Sequence, residues 1–293
     1  MLLTGKRVLI VGGDARQLTI ARTLVERDAA VCLAGYENLH APLPGTRLVD
    51  FAPETLAGFD AVIFPAKGIG EDGAVESLFS PKPLLLREAH FRALRGAVLY
   101  TGIAGPYLRE QAMKFSLPLV VLFDRDDVAV LNAVPTAEGA IMFAIQHTDI
   151  TLHGSDAAVI GFGRVGMTLA PRLRALGARV RVFARQPEAL ARAYEMGFEP
   201  LDLGALRSEI RPVDLVFNTV PAPILTADVL AEMKPSAFIL DLASAPGGTD
   251  FHFAEKRGIR ALLAPSLPGL VAPKTAGKIL ADVLTRLIAA QKP

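Results

Sequence analysis

Two strand–glycine–helix openings constrain this chain more than anything else in it. One is VLIVGGDARQLTIA, from Val8 to Ala21, and the other is VIGFGRVGMTLA, from Val159 to Ala170. A short apolar run, a glycine turn and an amphipathic helix are how a doubly wound parallel α/β unit begins. A chain of 293 residues is too long for one small domain and fits two of roughly 100–150 residues each. Two such units are therefore predicted.

The spacing of apolar runs supports this along the whole chain. In the first half, Arg7–Val11, Val31–Ala34, Asp60–Phe64, Ala97–Tyr100 and Pro118–Val121 read as strands, and Arg16–Arg27 and Leu84–Leu94 as helices. Turn signals fall between them at Pro42–Gly45 and Gly68–Gly73. The second half repeats the rhythm with strands Ala157–Gly161, Arg179–Ala184, Leu215–Asn218, Ala237–Asp241 and Arg260–Leu263, and helices Val165–Leu176 and Pro187–Met196. Thr136–His147 reads as a joining helix, and Ala276–Ala290 carries Ile279, Leu280, Val283, Leu284 and Leu287 at helical spacing. The expected architecture is α/β, with two doubly wound parallel-sheet (Rossmann-like) domains and an interdomain cleft. Its divisions are 1–130 for substrate or partner, 131–150 as connecting helix, 151–272 for the cofactor, and 273–293 as a helix returning to the N-terminal domain.

Composition matters here for what it excludes. A formal net charge of +1 gives no electrostatic reason to expect nucleic acid or an anionic membrane as partner. The single cysteine, Cys32, permits no internal disulfide, which suits a reducing cytosol. The opening MLLTGKRVLIVGG reads as a strand rather than a signal peptide, and no apolar run is expected to reach the roughly 18–20 residues of a membrane helix. A cytoplasmic protein is expected.

The two glycine turns are not equivalent. In the second half Gly161, Gly163 and Gly166 form a full GxGxxG, with Arg164 and Val165 opening the helix between them. The first glycine allows the tight turn, the second lets a pyrophosphate approach the backbone, and the third lets helix and strand pack closely. In the first half only Gly12 and Gly13 are present, followed by Asp14, whose carboxylate would repel a pyrophosphate. One dinucleotide, in the second half, is expected. The strand that follows ends Ala184-Arg185-Gln186 with no acid to hold a ribose 2′-hydroxyl, while Arg185 can pair with a 2′-phosphate. This favours NADP. Further cofactor contacts are expected from the strand-end loops Asn218-Thr219-Val220-Pro221 and Leu242-Ala243-Ser244.

No strong acid–base constellation is visible. The five histidines show no metal spacing, and no metal is expected. Glu138, at the junction between the halves, reads either as a helix-start carboxylate or as a cleft base. Lys274 begins the last helix, where a cation is disfavoured by the dipole unless it binds an anion.

Four segments taken together resemble the A-subunit family of dipicolinate synthase: NAVPTAEGA at Asn132–Ala140, GFGRVG at Gly161–Gly166, DLASAPGGTD at Asp241–Asp250 and LPGLVAPKTAG at Leu267–Gly277. The resemblance runs nearly end to end and includes Gly12–Gln17. The glycine fingerprint is common to many dehydrogenases, whereas PTAEGA and LPGLVAPKTAG are specific. Ala133 departs from the serine expected before the VPTAEG segment. The resemblance implies NADP-dependent oxidation of a dihydrodipicolinate-type lysine-pathway intermediate to pyridine-2,6-dicarboxylate during sporulation, in the mother-cell cytosol. It also implies the flavoprotein-like B-subunit of dipicolinate synthase as partner, and leaves homo-oligomerisation open. A dicarboxylate needs cations or N–H donors at both ends of its ring, for which Arg16, Lys67, Lys274 and Ser266 are the candidates, with Thr136 beside them. The catalytic candidates are Glu138, Ser266 and Lys274, with Glu138 or water removing the ring proton. Two alternatives remain. A 2-hydroxyacid dehydrogenase using NADP would want a histidine that Ala264–Gly269 lacks, and a non-catalytic cofactor-binding protein would need no acid–base pair.

Overall fold

A computed structural model describes residues 1–291, so the last two residues of the predicted 273–293 segment lie outside the described residues. Two compact units divide the chain. Met1–Leu131 and the segment from Ala272 onward form the first, and Asn132–Val271 form the second.

The first unit contains β1 (Arg7–Val11), α1 (Ala15–Glu26), β2 (Ala30–Ala34), β3 (Thr46–Leu48), β4 (Ala61–Ile63), β5 (Ala74–Val75), β6 (Leu84–Leu85), α2 (Glu88–Ala93), β7 (Val98–Thr101), α3 (Pro106–Lys114) and β8 (Leu119–Val121). Six of its strands form one parallel sheet in the order β3-β2-β1-β4-β7-β8, while β5 and β6 pair antiparallel as a separate hairpin. Val8, Leu9, Ile10 and Val11 are all buried because helices cover both faces of the sheet, which is why β1 reads as an unbroken apolar run. On one face Val8, Ile10, Val31 and Leu33 pack with Ile20 and Leu24 of α1. On the other, Leu9, Val62 and Leu99 pack with Phe91 and Leu108.

From the first unit the chain runs into α4 (Asp126–His147). The second unit then contains β9 (Asp156–Ile160), α5 (Arg164–Ala175), β10 (Arg179–Ala184), α6 (Pro187–Glu195), β11 (Glu199–Asp202), α7 (Leu206–Glu209), β12 (Leu215–Asn218), α8 (Ala227–Leu230), β13 (Phe238–Asp241), α9 (Phe251–Lys256), β14 (Arg260–Leu263) and α10 (Leu267–Val271). Its six strands form a parallel sheet in the order β11-β10-β9-β12-β13-β14. Counted within each unit, both sheets run 3-2-1-4-5-6, the dinucleotide-binding order, with a crevice where the winding reverses beside the first strand. The chain closes with α11 (Pro273–Ala289), which packs on α1 of the first unit. That approach is close: a Cβ on Gly277 would stand 2.7 Å from the Arg16 carbonyl oxygen and 2.8 Å from Thr19 Cβ.

Three expectations are corrected. Leu84–Leu94 is not one helix, because Leu84 and Leu86 are buried while Leu85 is only partly so. That period of two, after Pro83, makes the short strand β6, and the helix starts at Glu88. The joining helix begins at Asp126, ten residues before Thr136, and Pro135 lies inside it rather than at its start. Among the described residues α4 alone is long and apolar enough to cross a membrane, against the expectation that no run reached that length. Ala137, Ala140 and Ala144 along one face of it pack into the core of the second unit.

Candidate cofactor site

β9 is followed directly by Gly161, whose φ of +88° only glycine adopts readily, and this turns the chain under the crevice. Each glycine of the fingerprint has its own reason. A Cβ on Gly161 would collide with the Thr219 hydroxyl, and one on Gly166 would collide with the Gly161 carbonyl oxygen, so the two allow strand, loop and helix to close up. A Cβ on Gly163 would meet nothing within 4 Å. Open space beside Gly163 fits a ligand's phosphate, where packing would fit a protein neighbour. α5 starts from Gly163 without a capping side chain, so the positive end of its dipole is left for an anion.

The first unit's turn is built the opposite way. Asp14 caps α1, accepting from the Arg16 N–H at 3.0 Å, while the Gln17 side chain accepts from the Asp14 N–H at 3.0 Å. The Gly13 N–H donates to the Glu76 carbonyl at 2.7 Å and the Leu78 N–H donates to the Gly13 carbonyl at 2.9 Å, so the loop between β5 and β6 lies on the glycine turn. Backbone donors that a pyrophosphate would need are already bonded within the chain. The two openings in the sequence thus have different fates for a stated reason.

In the second unit a groove of about 400 Å³ runs beside Gly161 and Gly163 to Ala184, Arg185, Val220 and Pro221. Phe162, which stands between the first two glycines, completes it together with Phe183, Gln186, Ala189, Leu203, Ala222 and Ile224, residues that sequence reasoning missed because only the folded chain brings them to the glycines. No carboxylate lines it. Arg185 is exposed and makes no ion pair among the described residues. These features fit a nicotinamide dinucleotide.

Below the groove lies a polar knot that sequence reasoning did not isolate. Asp241, the last residue of β13, is fully buried and accepts four hydrogen bonds. Its Oδ1 takes the Asn218 side-chain amide at 3.0 Å and the Ala243 N–H at 3.1 Å, and its Oδ2 takes the Gly248 N–H at 2.8 Å and the Thr249 hydroxyl at 2.6 Å. Asn218 donates further to the Val220 carbonyl at 3.1 Å and accepts from the Val220 N–H at 3.0 Å. Its side chain, expected at the cofactor, is instead buried and committed to the loops. The Thr219 hydroxyl donates to the Ile160 carbonyl at 2.9 Å. Ala243 is buried, Val165 and Leu242 are half-buried, and Ser244 is exposed.

The remaining candidates are scattered. On α4, Glu138 is exposed and the Thr136 hydroxyl donates to the Asn132 carbonyl at 2.8 Å. Ser266, expected in a loop from Pro265 to Gly269, is exposed just before α10, with a φ of +61° that is costly for a non-glycine residue. A Cβ on Gly139 of α4 would stand 3.2 Å from Leu267 Cβ, so the backbones next to Glu138 and Ser266 run close together. In the first unit Lys274 is exposed at the second residue of α11, and exposed Lys67 lines a separate pocket of about 480 Å³. Arg16 is only 2% exposed, and its Nε and Nη2 grip both oxygens of Asp14 at 2.8–3.2 Å. It is engaged within the chain rather than held out as a free cation.

Burial alone would push the Asp14 carboxyl up, but hydrogen bonds and charge from Arg16 hold it below the usual carboxylate range. The sign follows: the pair's contribution is full above the unfolded value and is lost as pH falls through the lowered one. Asp14→Asn is expected to cost about 2 kcal/mol at neutral pH by leaving buried Arg16 without its counter-charge. Urea midpoints of the two proteins should converge in acid, and a gap independent of pH would contradict the pairing.

Residues 7–123 match the family of N-terminal domains of the dipicolinate synthase A-subunit, and residues 136–246 match D-isomer specific 2-hydroxyacid dehydrogenase, NAD binding domain. The dipicolinate synthase A-subunit of Bacillus subtilis is 46% identical over 289 residues, covering 98% of this chain and 97% of its own. The crystal structure of the dipicolinate synthase A-subunit from Bacillus halodurans superposes with a TM-score of 0.95 at 49% identity, covering 99% of this chain and 100% of that one. The crystal structure of the corresponding dipicolinate synthase polypeptide from Bacillus subtilis superposes with a TM-score of 0.93 at 46% identity, covering 98% and 97%. A dehydrogenase-type nicotinamide-binding domain accounts for the groove, the match holds from end to end, and the chain is therefore a member of the A-subunit family of dipicolinate synthase.

Proposed function

We propose that this chain oxidises a dihydrodipicolinate-type ring to pyridine-2,6-dicarboxylate with NADP, acting with the flavoprotein-like B-subunit in the cytosol of a sporulating mother cell. The name of its Bacillus subtilis relative and the chemistry of the groove support this reading. Bound NADP supplies the hydride acceptor. Gly163 and the uncapped start of α5 hold the pyrophosphate, with Arg164 and Val165 beginning that helix, and Arg185 pairs with the 2′-phosphate. Ala184, Val220 and Pro221 line the groove, Thr219 directly precedes Val220, and Leu242, Ala243 and Ser244, which do not line it, are proposed to reach the cofactor from the loop after β13. Aromatisation makes the oxidation strongly downhill, so orientation matters more than a strong base. Glu138 takes the ring proton, and Lys67, Thr136, Ser266 and Lys274 meet the substrate's carboxylates. Residues 1–130 serve substrate and partner, and 151–272 serve the cofactor.

The observation that carries the NADP reading is an arginine, with no carboxylate beside it, at the end of the second strand of the cofactor sheet. Arg185→Ala is expected to weaken NADPH binding by about 10- to 100-fold, the worth of a charge-assisted hydrogen bond, while leaving NADH binding unchanged. Fluorescence titration of the reduced cofactors measures it, and an equal loss for both would sink the 2′-phosphate assignment. Turnover is followed by NADPH and pyridine-2,6-dicarboxylate absorbance from the chain alone and with the partner. Product only with the partner present would make this chain a cofactor-binding half-enzyme, and none in either case would overturn the reading.

A further inference from the structure

The two units share one strand order, yet the hairpin β5–β6 is an addition that the second unit does not have. It fills the first unit's crevice. Besides the two hydrogen bonds between Gly13 and the hairpin, the Ser77 hydroxyl donates to the Gly35 carbonyl at 2.6 Å, and a Cβ on Gly35 would collide with the Leu84 side chain. Gly35 directly follows β2, where the second half of a dinucleotide would lie. What remains is the pocket of about 480 Å³, with Gly13, Asp14 and Lys67 on the sheet side and Glu76, Leu78 and Lys82 on the hairpin side. That volume is within the range of small-molecule sites.

Charge narrows the ligand. Asp14 is already balanced by Arg16, and the other ionisable residues lining the pocket are two lysines, Lys67 and Lys82, and one carboxylate, Glu76. Two mobile cations attract a small carboxylate, while Glu76 opposes the denser charge of a pyrophosphate. We infer that the hairpin converts a nucleotide crevice into a seat for one end of a small dicarboxylate, with Lys82 as a specificity-determining residue beside Lys67. The inference rests on the functional reading above and adds the hairpin residue to it.

The chain contains no tryptophan, so Leu78→Trp installs a single reporter in the pocket wall at a position 76% exposed, where the fold tolerates the change. Titration of the full chain with pyridine-2,6-dicarboxylate, excited at the red edge to avoid ligand absorbance, should give a saturable emission change. Lys82→Ala, assayed by calorimetry in the otherwise unchanged chain, should weaken dicarboxylate binding about ten-fold, Lys82→Arg should retain it, and NADPH affinity should stay constant in both. The inference is overturned if calorimetry shows dicarboxylate binding that Lys82→Ala leaves intact, or if the reporter is silent while the ligand binds. Absence of dicarboxylate binding by the unchanged chain, with or without NADP, instead brings down the functional reading, and the seat with it.

Discussion

Asp241→Ala is expected to destabilise the second unit by about 3–5 kcal/mol and to abolish measurable cofactor binding. The carboxylate is the common acceptor for the Asn218 amide, two loop N–H groups and the Thr249 hydroxyl, all drawn to one buried point. Removing it strands those donors in a place water does not reach, and each buried orphan costs roughly 1–3 kcal/mol. The lost bonds also free the loops after β12 and β13, and the first of these contributes Val220 and Pro221 to the groove. Asp241→Asn keeps one oxygen but replaces the other with a donor that faces donors, and should lose about half as much. Urea unfolding followed by circular dichroism measures both. A loss below about 1 kcal/mol for the alanine variant would mean that the knot is not what holds the loops.

Gly166→Ala and Gly163→Ala should separate two kinds of glycine within the one fingerprint. At Gly166 the added methyl collides with the backbone oxygen of Gly161, so α5 must move off β9. The expected cost is about 2–4 kcal/mol, with cofactor affinity falling as the turn distorts. At Gly163 the backbone is extended, with φ of −89°, and the methyl enters open space. Stability should change by less than about 0.5 kcal/mol, yet NADPH binding should weaken because the methyl occupies the phosphate's approach. Equal stability loss at both sites would refute the division into a packing glycine and a ligand glycine.

Much of the fold was legible because both sheets are covered on both faces. β1, β10 and β12 match their predicted limits, since a strand buried on both sides shows as an apolar run with sharp ends, and the edge strand β14 matches because Ala261, Leu262 and Leu263 still form an apolar run. β3 and β11 went unread for the converse reason. They are edge strands containing Thr46, Arg47, Glu199 and Asp202, and their partly exposed residues leave no such run. In the candidate site, the glycines and Arg185 were legible because their meaning is local to one turn and one strand end. Asp241 was not, because its role depends on Gly248 and Thr249, which return to it only after the loop folds. Asn218 was legible as a strand end, but nothing in the sequence says that its amide turns inward to Asp241. The hairpin's occupation of the first glycine turn was equally hidden. Glu76 and Gly13 are far apart in sequence, and no propensity links them.

The packing of α11 on α1 also orders events during synthesis. A chain emerges from the ribosome N-terminus first and domains tend to fold as they appear. Here the first unit borrows its closing helix from the far end of the chain, after all of the second unit has been made. Until then the face of α1 around Arg16 and Thr19 lacks its cover, and the second unit is complete before the first. The half translated earliest is thus the half finished last, and a chain cut before Ala272 would contain all of the second unit and a first unit whose α1 face still lacks its cover.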